Sequence, residues 1–334
     1  MTIKDIARIS GYAVGTVSRV LNGSPNVSDA ARKAVEDVVR QYDFKLNNNA
    51  KHLRQQAHSG IAVIIKGAHN MLFAAIVEEM QSLVREMDIS LNLYYIDEYE
   101  SEVEQAIRIC AERRPMGIAF LGSNLEEFRR RFAEVSVPCV LVTNSAAEIG
   151  FSNLSSVTTD DAAGAEMAVS HLIGLGHTRI GILGGKMTSS NAASTRYAGC
   201  LRAFAARGVP FRPDTQLVTA RFSLAGGYEA MQTLLETMPD ITAVFAMSDV
   251  MAVGAVRAVR EKGLRVPEDI SVVGYDGIEM GRFLCPRLTT ISQQQHALAR
   301  RSLEILLSAI RKETAAVHEI TPFRLMEGES VCKK

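Results

Sequence analysis

The sequence of 334 residues contains no apolar run long enough for a membrane span, which needs about 18 consecutive apolar residues. It also lacks the basic and then apolar N-terminal segment that marks a secreted protein. We therefore expect a protein without membrane contact that stays in the cytoplasm. Its composition, with 47% hydrophobic and 22% charged residues, is typical of a globular protein with a sizeable core.

Motifs of metal sites and of common catalytic centres are also missing. The five cysteines and seven histidines show no metal-ligand spacing. Neither the dinucleotide pattern G-x-G-x-x-G nor the nucleophile pattern G-x-S-x-G occurs. The run GGK at 184–186 resembles a phosphate-binding loop, but Ile180 replaces its first glycine and Met187 its Ser or Thr. We predict no metal, no cofactor and no enzymatic activity.

Net charge is zero over the whole chain, but it is unevenly distributed. Residues 1–58 hold nine Lys and Arg against five Asp and Glu, a net charge of +4 that leaves −4 for the rest. A basic head on an acidic body favours contact between the head and nucleic acid phosphates.

The first 23 residues predict two short helices separated by a turn at Gly11. Thr2 and Asp5 fit a capping box at the start of the first helix. The outward positions of the second helix are small or hydroxyl-bearing, with one cation, Arg19. This outline is typical of a helix-turn-helix, whose second helix enters the DNA major groove. Plain packing of two short helices is the alternative interpretation.

A third helix is predicted after Ser28, a good N-cap residue, with apolar positions at helical spacing up to Tyr42. The polar segment that follows, 45–58, is predicted to be a solvated linker in the absence of DNA. On DNA it would form a short helix, with Leu53 as an apolar wedge in the minor groove.

From Gly60 onward, short apolar runs alternate with amphipathic helical segments. This alternation predicts an α/β fold with doubly wound parallel sheets. Roughly ten such units exceed one sheet of ordinary width, so we predict two sheets. A ligand cleft is then expected at the carboxyl ends of their strands.

Polar and aromatic residues near the predicted strand ends form a candidate ligand site. They are Asn144, Arg196, Phe222, Ser248, Asp249 and Asp276. Carboxylates, an amide, a guanidinium group and an aromatic face suit a small polyhydroxylated or anionic ligand. Arg196 is predicted to open a helix. For Asp249 a helix N-cap, and for Asp276 a turn, are the alternative roles.

Several ordered motifs carry a family resemblance over essentially the whole chain. They are TIKDIA at 2–7, TVSRVLNG at 16–23, AKHL at 50–53, HLI at 171–173, RYAG at 196–199, SDVMA at 248–252, VPEDISVVGYD at 266–276 and LTTI at 288–291. Together they resemble the lactose–galactose repressor (LacI/GalR) family of bacterial transcription regulators.

For the N-terminal region, the resemblance implies a homodimer with paired headpieces on operator DNA. The family's base-contacting positions fall on Val14, Gly15 and Arg19, and its phosphate contacts on Thr16 and Ser18. Further implied DNA-binding positions are Thr2, Asn22, Ala50, Lys51 and Leu53. Because Val14 and Gly15 lack long polar side chains, readout should depend on Arg19, a candidate for guanine contact, and on DNA shape.

For the rest of the chain, the resemblance implies a periplasmic-binding-protein-like core with two subdomains. We expect a headpiece at 1–46, a hinge at 47–58 and a core at 59–334. The N-subdomain would comprise about 59–158 and 292–318, and the C-subdomain about 160–288 and 320–330. The effector positions implied by the family are Phe73, Asp160, Arg196, Phe222, Ser248, Asp276 and Gln293. Without an apolar heptad tail, dimers are expected rather than tetramers.

The sequence thus predicts a sequence-specific DNA-binding regulator, a repressor of a carbohydrate operon controlled by a sugar-like effector. A periplasmic sugar-binding transport protein is the first alternative, disfavoured by the basic head and the missing signal segment. An enzyme on a doubly wound fold is disfavoured by the absent catalytic motifs. A global carbon regulator assisted by a protein partner remains open.

Overall fold

A computed structural model describes residues 3–21, 27–42, 60–67, 70–312 and 314–334. The chain forms two compact units, a headpiece at 1–56 and a body at 57–334. The expected hinge and the predicted DNA-binding positions Thr2, Asn22, Ala50, Lys51 and Leu53 lie outside the described residues.

The headpiece is a small helical unit. Its helices are α1 (Ile3–Ser10), α2 (Val14–Leu21) and α3 (Asp29–Gln41). Ile6, Val17 and Val35 are fully buried and form the centre of a shared apolar core. Ser28 caps α3 as predicted, because its hydroxyl accepts a hydrogen bond from the Ala31 N–H at 3.4 Å.

The body alternates strands and helices. Its strands are β1 (Gly60–Lys66), β2 (Ser90–Ile96), β3 (Gly117–Leu121), β4 (Cys139–Val142), β5 (Leu154–Thr159), β6 (Ile180–Gly184), β7 (Leu217–Thr219), β8 (Ala243–Ala246), β9 (Ser271–Asp276), β10 (Thr289–Gln293), β11 (His318–Thr321) and β12 (Phe323–Met326). Its helices are α4 (Met71–Val84), α5 (Glu102–Arg113), α6 (Leu125–Arg131), α7 (Asp161–Gly174), α8 (Asn191–Ala206), α9 (Pro213–Gln216), α10 (Leu224–Thr237), α11 (Asp249–Glu261), α12 (Glu279–Phe283) and α13 (Gln295–Ile310).

The strands form two six-stranded sheets, each the centre of one lobe. The first lobe has the order β11-β5-β4-β3-β1-β2, with every pair parallel. The second has the order β12-β10-β9-β8-β6-β7, in which only β12 is antiparallel to its neighbour. Helices cover both faces, so the central strands are continuous apolar runs. The predicted fold class, two parallel sheets behind a helical headpiece, is confirmed.

β5 is fully buried although its sequence, LSSVTT, is largely polar. Two of its hydroxyl groups have partners in the segments beside the sheet. Ser155 accepts a hydrogen bond from the Val317 N–H at 3.1 Å, and Ser156 accepts one from the Ala146 N–H at 3.0 Å. Hydrophobic periodicity alone therefore does not detect this strand, because hydrogen bonds rather than apolar side chains make its burial possible.

The chain passes between the lobes three times. The passages lie between β5 and α7, between β10 and α13, and between β11 and β12. All of β10 belongs to the sheet of the second lobe, and all of β11 to that of the first. The lobe boundaries therefore differ by a few residues from the expected ones at 288–292 and 318–320.

Candidate functional site

A cavity lies between the two lobes at the carboxyl ends of their parallel strands. Its volume is about 730 Å³, counting the part open to solvent. Six of the predicted effector positions lie in its wall: Phe73, Asn144, Arg196, Phe222, Asp276 and Gln293. The sequence-based argument from strand ends thus leads to the same location as the structure.

Asp160 and Ser248, the other two predicted effector positions, lie outside this wall and cap helices. An Asp160 carboxylate oxygen accepts a hydrogen bond from the Ala163 N–H at 2.9 Å at the start of α7. The Ser248 hydroxyl accepts one from the Met251 N–H at 3.4 Å at the start of α11.

Arg196 is the central cation of the wall, and its side chain is only 5% exposed. It lies in the second turn of α8 rather than at the predicted helix start. Its Nε donates to Asp161 Oδ1 at 2.8 Å, and its Nη2 lies 3.6 Å from Asp276 Oδ1. Its Nη1 donates to the Met247 carbonyl, and the guanidinium stacks 3.8 Å from the centre of the Tyr275 ring. These contacts fix the guanidinium in one orientation.

Asp276 ends β9 in a backbone conformation with φ of 116°, a region that non-glycine residues rarely adopt. Burial raises the pKa of its carboxyl group to about 6, despite the opposing effect of Arg196. Gln293 Nε2 donates to Asp276 Oδ1 at 2.8 Å. The other amide atom, Gln293 Oε1, is buried without a hydrogen-bond partner among the described residues. The ends of β9 and β10 thus present a carboxylate acceptor and an amide acceptor to the cavity.

Asp249 does not serve as a helix N-cap, so that sequence-based alternative is wrong; Ser248 holds the N-cap position. The Asp249 side chain is fully buried and accepts hydrogen bonds from the Ile278 N–H at 2.8 Å and from Thr290 Oγ1 at 2.6 Å. Burial raises the pKa of its carboxyl group well above the usual range. By binding Ile278, Asp249 supports the turn that carries Asp276.

Two aromatic rings complete the wall, Phe73 from the first lobe and Phe222 from the second. Each lies against a glycine. A Cβ at Gly122, where φ is 76°, would lie 3.1 Å from the Phe73 ring, and a Cβ at Gly185 would collide with the Phe222 ring. Glycine at both positions therefore lets the rings approach the strand ends closely.

Sequence reasoning missed several polar residues in the wall. They are Lys66, Asn70, Glu98, Tyr99, Ser123, Thr143, Lys186, Ser189 and Ser190. Lys66 forms a buried ion pair with Glu102. Lys66 ends β1 and Ser123 follows β3, so the rule that ligand groups follow strand ends would have found both.

Charged residues also join the lobes at the rim of the cavity. Arg221 donates to Asp97 Oδ2 at 2.7 Å, and the Phe222 N–H donates to Glu98 Oε2 at 3.3 Å. The Arg221 guanidinium lies 4.5 Å from the centre of the Tyr99 ring and lowers the pKa of Asp97 through its hydrogen bond. We call the contacts of Arg221 and Phe222 with residues 97–99 the rim clasp. They hold Phe222 over the cavity.

In the headpiece, α2 directs Val17 and Val20 inward. Val14, Gly15 and Arg19 are exposed, and Thr16 and Ser18 are partly exposed. A Cβ at Gly15 would have no neighbour within 4 Å. The outward face of α2 is therefore open, as a helix that enters a DNA groove requires.

The headpiece and the two-lobed body together define a class of protein in which a ligand-binding core accompanies a helix-turn-helix unit. Residues 2–47 match the family described as bacterial regulatory proteins, lacI family, and residues 169–331 match the periplasmic binding protein-like domain. Within the described residues, no helix has the length and apolar character to cross a membrane, and no cluster of metal-ligating side chains occurs.

Comparison with known proteins extends these matches to the whole chain. The HTH-type transcriptional regulator MalR of Clostridium butyricum is 33% identical over 99% of both chains. The HTH-type transcriptional repressor PurR of Pasteurella multocida is 32% identical over 96% of both chains. The chain belongs to the lacI family of bacterial regulatory proteins. It is a DNA-binding transcription regulator and not an enzyme, as the sequence predicts.

Solved structures agree in fold. One similar structure is that of the lac repressor dimer bound to operator and the anti-inducer ONPF. It is 26% identical in sequence to this chain, the match covers 99% of both chains, and the TM-score is 0.74. The complex of the transcriptional regulator CelR with cellobiose is 28% identical, with 99% of both chains covered and a TM-score of 0.71.

Proposed function

We propose that this regulator represses a carbohydrate operon and that a sugar-like effector in the cavity between the lobes controls its DNA binding. The observation that carries the proposal is the pair of acceptors, Asp276 and Gln293, in the wall of a cavity bounded by two aromatic rings. Gln293 Oε1 is buried without a partner among the described residues, and buried acceptors are normally hydrogen-bonded.

A sugar ring matches this wall. Its hydroxyl groups would donate to Asp276 and to Gln293 Oε1, and its C–H faces would pack against Phe73 and Phe222. The charge of Arg196 is balanced by Asp161 and Asp276, so the guanidinium is oriented to bind a neutral hydroxyl oxygen without a net charge to neutralise. The similar CelR structure contains cellobiose, which supports a saccharide here.

The proposed DNA contact uses the exposed face of α2. Arg19 would contact a base edge, and Thr16 and Ser18 would contact phosphates. The predicted contacts of Thr2, Asn22, Ala50, Lys51 and Leu53 belong to the same proposal. A bacterial regulatory protein meets its operator DNA in the cytoplasm, so the protein would act there.

A homodimer is part of this proposal. The second lobe exposes an apolar groove between α10 and α11, lined by Leu224, Tyr228 and Val253, and the ring of Phe283 on α12 is 79% exposed. Apolar surface of this kind favours association. The similar lac repressor structure is a dimer on its operator, and paired headpieces would read two half-sites in the same way.

The lobes supply the two-state element that an effector needs. A ligand that binds one arrangement of the lobes more tightly than another shifts the population toward it. The headpiece precedes β1 of the first lobe in sequence, so such a shift would reach it through the intervening segment. Effector binding and operator binding would then be coupled.

Arg196→Ala tests the proposal. The variant should lose the effector response in an operator-binding assay while keeping the affinity for DNA without effector, because Arg196 lies far from the headpiece in sequence and orients the cavity wall. Thermal-shift screening of the full chain against a carbohydrate panel identifies the effector first. Arg202→Ala is the matched control, because Arg202 lies on the same helix as Arg196 and forms an exposed ion pair with Glu166 of α7. If Arg196→Ala keeps the effector response, the effector binds at another site.

A further inference from the structure

The start of α8 forms one part of the cavity wall. α8 has sixteen residues, so its N-terminus carries a partial positive charge. Ser190 caps the helix, with its hydroxyl accepting from the Ala193 N–H at 3.2 Å. Ala192, the second residue of the helix, also lies in the wall.

Ser123 of the first lobe faces this helix start. The Asn191 N–H donates to the Ser123 carbonyl at 3.4 Å, which places the two residues in contact. The Ser123 side chain lies in the cavity wall, the residue is only 4% exposed, and its hydroxyl has no partner among the described residues. A buried hydroxyl is normally hydrogen-bonded, so this one indicates a ligand atom at the start of α8.

Two further donors lie in the same cavity wall. Asn191 Nδ2 donates to Asn144 Oδ1 at 3.2 Å, which leaves Asn144 Nδ2 as a donor in the wall. Lys186 also lies in the wall, with its ammonium group 5.9 Å from the centre of the Tyr99 ring, and it forms no ion pair with a carboxylate of the described residues. Glu98, a carboxylate of the same wall, is engaged by the Phe222 N–H and by Arg221.

The acceptors of the cavity, Asp276 and Gln293, lie beside Arg196, which is further along the same helix. Asn191 and Arg196 are five residues apart, which is about 7.5 Å along a helix axis. Arg196 contacts Asp276, which accepts from Gln293. The wall therefore has acceptors at Asp276 and Gln293, beside Arg196, and donors at Ser123 and Asn144, near the start of α8. Lys186 lies in the same wall.

We propose that the effector is a sugar bearing an anionic oxygen group, a phosphate or a carboxylate, which binds the donors at the start of α8. Such a group only accepts hydrogen bonds, so it fits the Ser123 hydroxyl, the Asn144 amide and Lys186, and the positive end of α8 favours its charge. This inference rests on the proposed function, since it assigns the charged end of the sugar placed in the cavity.

Calorimetric titration of the full-length protein tests this. The ligands are glucose, galactose, mannose and fructose, their 6-phosphates, the uronic acids of the three aldoses, and inorganic phosphate. At least one charged member should bind tenfold or more tightly than its neutral parent. Comparison of the phosphates with the uronic acids identifies the anionic group, and inorganic phosphate shows whether the sugar ring is needed.

Lys186→Met and Ser123→Ala should reduce the charged-to-neutral affinity ratio several-fold, whereas Lys186→Arg should largely preserve it. Melting temperatures of the variants serve as the folding control. If a neutral sugar binds as tightly as its charged derivatives, and the charged-to-neutral affinity ratio is unchanged in Lys186→Met, the effector does not bear an anionic group. The proposed sugar site would still be supported by that result. If neither neutral nor charged sugars bind, both this inference and the proposed function fail.

Discussion

At the residue scale, Arg19 is the exposed cation on the outward face of α2, between positions that have little to read bases with. Val14 is apolar and Gly15 has no side chain, so loss of Arg19 should remove most direct readout by this helix. We expect Arg19→Ala to weaken specific operator binding by about 1–3 kcal/mol and to relax one operator position. Competitive binding to operator variants measures both effects.

Arg40→Ala is the control for Arg19, because Arg40 is an exposed arginine of α3 that lies outside α2. It should change operator affinity much less and leave sequence preference unaltered. Equal effects of the two substitutions would mean that Arg19 contributes only charge.

Asp276 is expected to destabilise the ligand-free protein at neutral pH. Its pKa of about 6 in the folded state exceeds the unfolded value of about 3.9, so the folded state binds more protons between these values. The free energy of unfolding contributed by this group is therefore highest at low pH and falls as pH rises through 6. Asp276→Asn should raise stability at pH 7.5 by on the order of 2 kcal/mol.

Urea denaturation of Asp276→Asn and the unmodified protein at pH 5 and pH 7.5 measures this difference, which should shrink at the lower pH. The same substitution removes a carboxylate acceptor from the cavity, so effector affinity should fall while stability rises. A variant less stable at pH 7.5 would show that attraction between Asp276 and Arg196 outweighs the burial of the charge.

The sequence revealed these residues to different degrees. Arg196, Phe222 and Asp276 were predictable because the strand ends and the family motifs lead to them. Ser123 follows β3, so the strand-end rule leads to its position, but its contact with Asn191 joins chain segments more than sixty residues apart. Glu98 belongs to no motif, and its contact with Phe222 is equally distant in sequence. Asp249 was ambiguous because Ser and Asp are both good N-cap residues, and their order decides which one caps the helix.

At the scale of elements, the rim clasp joins the loop after β2 to the loop after β7. Arg221 and Asp97 are each nearly half exposed, so their ion pair contributes little to the stability of the fold. It connects the lobes, however, and should slow the release of a bound effector. We expect Arg221→Ala to increase the effector dissociation rate several-fold, and Asp97→Ala to do so to a similar extent.

Stopped-flow measurement of effector release from the two single variants and the double variant tests the clasp. If the pair acts as one unit, the double variant should resemble the singles. Arg265→Ala, which breaks an exposed ion pair with Asp269 inside one lobe, is the control. Additive effects of Arg221 and Asp97 would mean that each acts through other contacts.

The apolar strands and the helices were predictable from their periodicity, whereas β5 was not. Its Ser and Thr residues are buried because neighbouring segments supply their hydrogen bonds, and one of these segments, at Val317, lies about 160 residues away in sequence. Local patterns do not contain that information, so an element stabilised by distant hydrogen bonds is recognised only in the folded chain.

At the scale of the whole molecule, dimerisation and DNA binding should be linked. Phe283 is the most exposed large apolar residue among those described, and it lies on α12 of the second lobe. We expect Phe283→Asp to shift the protein toward monomers at micromolar concentration, because a charge would replace the ring in an apolar contact. Operator affinity should fall with it, since two half-sites need two headpieces.

Sedimentation velocity combined with operator binding measures both quantities. Ile320→Asp is the control, since Ile320 is 70% exposed in the first lobe, outside the groove of the second. A Phe283→Asp variant that remains dimeric would place the contact between subunits on another surface.

Because the chain passes between the lobes three times, neither lobe is encoded by one continuous stretch of gene. Exchange of a single gene fragment with a relative would replace parts of both lobes and leave mismatched halves. New ligand preferences should therefore arise by individual substitutions in the cavity wall. The headpiece, by contrast, is one continuous unit at 1–56, so we expect that it can be exchanged between relatives together with its operator preference.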